Sequence, residues 1–348
     1  MNQYSPPFHM TDKITILITE IGEQVGRITV LQGASIHAHL RRENRIRTIH
    51  SSLAIEHNSL SLEEVTAILD GKRILGNPNE IREVQNAYSA YEQMLTLNPL
   101  SVADLLKAHK IMMEGLVPEN GRFRSSGVGV FDGEILIHMA PPADIVPEHI
   151  HNLFAWYQAS ALHPLVKSAI FHYEFEFIHP FSDGNGRMGR MWHSLLLAHW
   201  KELFFWLPIE EIISSRQKEY YEALKTADQQ ADSAGFVELM LEIIRDSLEE
   251  LTVIGRSADQ GTDQAAEQEA DQDTDQDTDQ DQGPTQRLLS ALGSDTLSAT
   301  ELMAKLGLSH RPTFRNNYLH PALDQHLIER TIPDKPNSPK QKYKKRNE

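Results

Sequence analysis

The sequence predicts a mainly α protein: a helical domain carrying one β-hairpin, followed by a small winged helix–turn–helix domain. Three observations predict it. Apolar residues recur at three- and four-residue spacing through most of residues 1–256. One pair of β-rich runs flanks Asp132-Gly133, a hairpin signal. A run of Asp and Gln then sets apart a tail in which three short helical patterns precede two strand-like ones.

The helical pattern is clearest in "LSLEEVTAIL", "SVADLLKAHKIMMEGL", "HPLVKSAIFHYEFEFI", "MWHSLLLAHW" and "FVELMLEIIRDSLEEL", with Ser61 and Ser101 placed as N-caps. In "VGVFDGEILIHMAPPADIVP" the second β-rich run is closed by Pro141-Pro142. Residues 258–282 hold eight Asp, two Glu and no Lys or Arg, so they carry −10 of the formal net charge of −16. With almost nothing apolar to bury, they cannot offset the entropy of ordering and read as a self-repelling disordered linker. The expected division is a helical region 1–95, a core 96–256, a linker 257–286 and a winged helix 287–348. In the tail, "RLLSAL", "SATELMAKLGL" and "RPTFRNNYL" supply three helices, with Pro312 at an early helical position, and "LIERTIPDKPNSPKQKYKK" supplies the wing. There are no cysteines, no apolar run long enough for a membrane helix and no secretory signal, so the expectation is a cytoplasmic protein without disulfides or thiolate chemistry.

The densest chemistry lies in "IHPFSDGNGRMGR", residues 178–190. A glycine-rich turn opening a helix offers unpaired N–H groups and the positive end of the helix dipole, which suits an anion. Gly184, Asn185 and Gly186 would let phosphate oxygens approach the backbone, and Arg187 and Arg190, one turn apart, add fork-shaped donors. Asp183 is placed to hold a Mg²⁺ bridging phosphates, and His179 to take a proton from a hydroxyl near neutral pH. These parts suit phosphoryl or nucleotidyl transfer. Taken singly they have plainer readings: a turn, a solvated arginine face, or a zinc triad of His172, His179 and Asp183.

Together, however, "HPFSDGNGRMGR" resembles the Fic-domain signature, His-x-Phe-x-Asp/Glu-Gly-Asn-Gly-Arg-x-x-Arg, at every specified position. The resemblance implies a Fic-type helical domain that transfers AMP from ATP, with Mg²⁺, to a Ser, Thr or Tyr hydroxyl of a target protein or of itself. It makes His179 the base, Asp183 the metal ligand, Gly184 to Gly186 the anion hole, and Arg187 and Arg190 the phosphate clamps, with Phe181 a core anchor. "LPIEEIISSRQKEYYEALKTA" resembles the helix closing over the adenosine, which places Tyr221 in the nucleotide site. The hairpin, residues 128–140, resembles the family's flap, which docks the target as an added strand.

"SSLAIEHNSLS", residues 51–61, resembles the inhibitory helix of autoregulated Fic proteins, Ser/Thr-x-x-x-Glu-Gly/Asn, through Ser52 and Glu56. It departs from that pattern at His57, which leaves the geometry of the helix end open. In the tail, Arg311, Arg315, Asn316 and Asn317 would face DNA bases, with Lys340, Lys342, Lys344 and Lys345 near phosphates. Weak DNA binding by 287–348, protein docking there instead, and a homodimer all stay open. The competing readings are a DNA-binding regulator whose Fic domain senses nucleotide, and a Fic enzyme that also removes AMP.

Overall fold

A computed structural model describes residues 4–31, 38–132, 135–268, 284–293, 295–306, 308, 314–324, 327–331 and 341–346. The chain divides into two compact units, Met1–Ala265 and Ala266–Glu348.

The first unit is built from helices α1 (Asp12–Leu31), α2 (Ala38–Ile55), α3 (Leu62–Leu69), α4 (Pro78–Gln93), α5 (Val102–Met112), α6 (Val146–Ala159), α7 (Pro164–Ile178), α8 (Asn185–Trp200), α9 (Ile209–Ser215), α10 (Gln217–Gln230) and α11 (Ala234–Gln268). Local chemistry sets several of their ends. Ser61 accepts from the Glu64 N–H while Glu64 reaches back to the Ser61 N–H, a complete capping box, and Ser101 accepts from the Asp104 N–H. Proline opens α4, α6 and α7, where its missing N–H costs nothing. Helix α5 stops at Met112, short of the Leu116 its pattern suggests, and the chain turns at Gly115 with φ 69°.

Helix α7 packs on α8 and is buried on almost every face. Its two sides serve two cores. Phe171 and Phe175 join Phe181, Met188 and Trp192 in one, while Ile170 and Tyr173 join Leu197, Phe236 and Met240 in the other. A helix wrapped in this way needs its polar residues answered, and the Tyr4 hydroxyl donates to Glu174 at 2.5 Å. Burial still pushes the Glu174 carboxyl up to about 7. Helix α1 docks on α11 through Ile14, Leu17 and Ile21 and through the Lys13–Glu242 ion pair at 2.7 Å.

Strands β1 (Gly129–Asp132) and β2 (Ile135–Met139) pair antiparallel, Asp132 opposite Ile135, with a bulge between Val130 and Phe131. This is the expected hairpin; its turn residue Gly133 lies outside the described residues. Helix α11 continues to Gln268, into the stretch read as linker, and the rest of that stretch to residue 283 lies outside them.

The second unit has helices α12 (Pro284–Leu292) and α13 (Ala299–Lys305), a π-helical stretch Phe314–Leu319 leading into a helix at His320–Asp324, and strands β3 (Leu297–Ser298), β4 (Ile328–Arg330) and β5 (Lys342–Lys345). The strands form an antiparallel sheet in the order β3-β5-β4. Leu288, Leu302, Phe314 and Tyr343 give it a core of its own. Arg311, Pro312 and Lys340 lie outside the described residues. Among the described residues no helix is long and apolar enough to cross a membrane.

Candidate active site

The turn between α7 and α8 is held from below by residues distant in sequence. His179 ends α7 in the left-handed conformation, φ 50° and ψ 63°, which a non-glycine residue adopts only when its surroundings insist. The buried Arg124 supplies that insistence. Its Nε donates to the His179 carbonyl at 2.7 Å, its Nη1 to the Ser126 carbonyl at 2.9 Å and its Nη2 to the Pro141 carbonyl at 2.5 Å. One guanidinium thereby ties the turn to the chain on both sides of the hairpin.

Phe181, fully buried, stacks on His109 with ring centroids 3.7 Å apart. His109 Nδ1 accepts from the Gly121 N–H at 2.9 Å, so the proton sits on Nε2, which donates to the Asp183 carbonyl at 3.0 Å. Burial lowers the His109 pKa to about 4, in keeping with that neutral ring. The Asn185 amide closes the turn, accepting from the Phe181 N–H at 2.8 Å and donating to the Phe181 carbonyl at 2.9 Å. Its side chain is thus committed to the loop, and what Asn185 offers an anion is backbone. Gly184 precedes α8 at φ 83°, and no side chain caps that helix. Its first N–H groups carry the partial positive charge expected at a helix start.

Arg187 is buried, donating to Glu83 at 3.1 Å and to Asp183 at 3.3 Å. Asp183 stays 56% exposed and also accepts from the Gly184 N–H at 2.6 Å. Arg190, 1% exposed, is held by α2: its Nη2 donates to Glu56 Oε1 at 2.7 Å and to the Ser52 carbonyl at 3.0 Å, and its Nε to Ser52 Oγ at 3.3 Å. Burial pushes the Glu56 carboxyl up, but the charge and hydrogen bond of Arg190 outweigh it and hold the pKa below the usual carboxylate value.

The helix end that carries Glu56 is a Schellman turn. The Asn58 N–H bonds to the Leu53 carbonyl at 3.1 Å, the His57 N–H to the Ala54 carbonyl at 3.0 Å, and His57 sits at φ 68°. The family pattern has Gly or Asn here because this is the left-handed position, and histidine is among the residues that tolerate it. Asn58 Nδ2 then donates to Glu83 at 2.8 Å, so the carboxylate that holds Arg187 also anchors the turn. Gln217 Nε2 donates to the Ile55 carbonyl at 3.0 Å from the other side.

Glu56, His57, His179, Gly186, Arg190 and Tyr221 line one cleft of about 700 Å³, a size suited to a nucleotide. Gly184, Asn185, Arg187, Asp183 and Ser52 support or border it through the contacts above. The His172–His179–Asp183 zinc reading fails: among the described residues no three metal-binding side chains converge. His172 is instead fully buried and shares a hydrogen bond of 3.1 Å with the Tyr220 hydroxyl.

A solved structure of a Fic family protein from Desulfovibrio desulfuricans G20 is 52% identical, covers 99% of both chains and superposes with a TM-score of 0.70. The chain belongs to the Fic family. The Fic/DOC family matches residues 99–197, and the C-terminal domain of "filamentation induced by cAMP protein Fic-like" matches 283–345. Among curated proteins, "Protein adenylyltransferase Fic" of Aedes aegypti is 30% identical over 220 residues, 60% of this chain and 42% of its own length. "Protein adenylyltransferase fic-1" of Caenorhabditis elegans is 28% identical over 211 residues, 57% of this chain and 39% of its own. The chain therefore spans about two fifths of the length of these relatives. The solved C. elegans Fic-1 shares the fold at 22% identity, TM-score 0.57, covering 70% of this chain and 74% of its own.

The Fic site depends on residues that sequence reading did not single out: Glu83, His109, Arg124 and Gln217. Glu176 belongs with them, since it lines the cleft and burial pushes its carboxyl up to about 8.

Proposed function

We propose that this Fic protein is an adenylyltransferase that moves AMP from ATP onto a Ser, Thr or Tyr hydroxyl of a protein, itself included, and that Glu56 holds it inactive. The observation that carries the proposal is the Arg190–Glu56 bond inside the cleft that also holds His179, Gly186 and Tyr221. In the reaction the hydroxyl oxygen forms a bond to the α-phosphorus, the bond from that phosphorus to the bridging oxygen breaks, and pyrophosphate leaves. His179 takes the hydroxyl proton. The uncapped start of α8 and the guanidinium groups of Arg187 and Arg190 stabilise charge on the phosphates. Tyr221, on α10, borders the nucleoside end.

Mg²⁺ is bound through one or two carboxylates plus substrate phosphates, and the exposed Asp183 beside the phosphate turn suits that role. When bound, the ion would neutralise charge on the leaving pyrophosphate. Strand β2 approaches α10, so a target segment added to the hairpin edge would run past the cleft.

The deciding experiment supplies ATP labelled on its α-phosphate, with Mg²⁺, to the Glu56→Gly protein alone and with a cell lysate. Label on protein that disappears with His179→Ala supports the proposal; no label on any protein in either reaction refutes it.

For the second unit we infer weak duplex DNA binding, because Arg315, Lys342 and Lys345 are exposed, although Lys344 is taken up by Glu329 at 2.9 Å. A fragment spanning 285–348 should bind DNA less tightly as salt rises; no binding at low salt would leave protein docking as its role.

A further inference from the structure

A second concave site lies away from the catalytic cleft, between α2, the end of α3, α4 and the short 3₁₀ turn at Glu202–Trp206. It encloses about 260 Å³, and three arginines outnumber the one carboxylate, Glu92, in its lining. Arg41, Arg42 and Arg45 line it together with Trp206.

Arg45 is 7% exposed, yet no hydrogen bond or ion pair joins it to any described residue. Its guanidinium carbon lies 4.1 Å from the Phe205 ring centroid and 5.2 Å from that of Tyr91, so aromatic faces hold it by its own face. Arg41 is held likewise, 4.7 Å over Trp206. Stacking of this kind fixes a guanidinium, and the Glu92 and Glu210 carboxylates act on the Arg45 charge from a distance without bonding its N–H edge. Burial accordingly pulls the Arg45 pKa below the usual arginine value. Two further donors are stranded nearby: Arg41 Nε and the Trp206 indole N–H are both buried without a partner. Glu92 stands exposed at the rim without bonding these arginines, and Arg42 is already paired with Asp70. The Trp206 carbonyl accepts from Asn44 at 3.0 Å, which keeps the turn in place.

We propose that this pocket is a second anion site, taking a small phosphate group through the edges of the Arg45 and Arg41 guanidiniums and the Trp206 N–H. Its volume falls below that of sites for drug-sized ligands, which points to inorganic phosphate or a small phosphomonoester, not a nucleotide. Fork-shaped guanidinium edges match phosphate oxygens two at a time, and aromatic stacking has already removed the freedom that binding would otherwise cost.

The test is calorimetric titration of the full chain with inorganic phosphate, and separately with methyl phosphate, at constant ionic strength set by chloride. Arg190→Ala removes the phosphate clamp of the catalytic cleft and should leave this binding within about twofold. Arg45→Met should weaken it well beyond tenfold, and its melting temperature in phosphate-free buffer should equal or exceed that of the unaltered protein, because a desolvated charge that no acceptor bonds is gone. Trp206→Phe keeps an aromatic face, though a smaller one, and deletes one donor to a charged acceptor, so affinity should fall about tenfold or more. Equal binding of both probes assigns the pocket to phosphomonoesters, and preference for the free ion assigns it to inorganic phosphate. The proposal is overturned if the unaltered protein binds neither probe at millimolar concentration, or if Arg45→Met and Trp206→Phe bind as well as it does.

Discussion

A β-carbon placed on Gly186 would stand 2.3 Å from Glu56 Oε1. The carboxylate from the end of α2 therefore lies directly over the first turn of α8, where the helix offers its N–H groups, while bonding the Arg190 guanidinium. A carboxylate at a helix start occupies the position that suits a phosphate, and both cannot be there at once.

Glu56→Gly should therefore raise self-modification. If the closed contact is favoured by about 3 kcal/mol, the competent state is populated at roughly one part in 160, and removing the carboxylate recovers about two orders of magnitude. Adding Arg190→Ala should abolish the gain, since the clamp is then missing. Because the Glu56 pKa is depressed in the closed state, the stabilisation it gives is complete above the ordinary carboxylate pKa and is lost as pH falls through the depressed value. Inhibition should thus be constant across neutral pH. The measurement is incorporation of labelled AMP by each variant; a Glu56→Gly protein no more active than the unaltered one refutes the inhibitory role.

His179→Ala, tested in the Glu56→Gly background, should slow AMP transfer by about 10²–10⁴-fold while leaving ATP affinity nearly unchanged, because the phosphate donors are untouched. Asp183→Ala should lose activity that added Mg²⁺ restores only in part. Rate assays paired with ATP titration separate the two: unimpaired turnover by His179→Ala, or metal-independent turnover by the starting protein, would contradict the assignments.

The turn at 178–190 was legible because its chemistry is contiguous: base, carboxylate, glycines and arginines fall within one run, and a hairpin and an acidic segment announce themselves locally. Its supports were not. Arg124 reaches the turn across 55 positions and His109 across 74, and each is a common residue in an unremarkable helix or loop. Glu83, 104 positions from Arg187, joins the turn that carries Glu56 to the motif, and nothing local marks it. Helix α7 shows the same limit in packing, since a helix buried on nearly all sides carries little periodic signal about which face meets which core.

Glu176 gives a stability prediction. Burial, opposed by Arg190 and aided by Glu56, raises its pKa from 4.5 to about 8. The folded state then binds a proton more tightly than the unfolded one, so stability is fully present below about 4.5 and declines as pH rises to about 8. Glu176→Gln removes that decline. It should match the unaltered protein near the acid end and exceed it at alkaline pH, by up to about 5 kcal/mol. Urea unfolding at both ends of the window measures the difference; equal stability at alkaline pH would show that the carboxylate is solvated after all.

His57 tests the turn that carries Glu56, and the inhibition proposed for it, without touching the carboxylate. At φ 68° it occupies the left-handed position of the Schellman turn, where a β-carbon costs roughly 1–2 kcal/mol and glycine costs nothing. His57→Gly should raise the melting temperature and leave inhibition intact or tighter, because Glu56 is then carried on a more relaxed helix end. His57→Val places a β-branched side chain in the same backbone state, where strain is greatest. That strain is relieved by opening the turn, which also draws on the Asn58–Glu83 bond behind it. His57→Val should accordingly lower the melting temperature and raise self-modification, by about tenfold if some 1.4 kcal/mol of the strain falls on the closed state. Melting curves and labelled AMP incorporation for the two variants decide the matter. If valine and glycine leave both quantities alike, the helix end is not what positions Glu56 over α8, and Arg190 alone must hold it there.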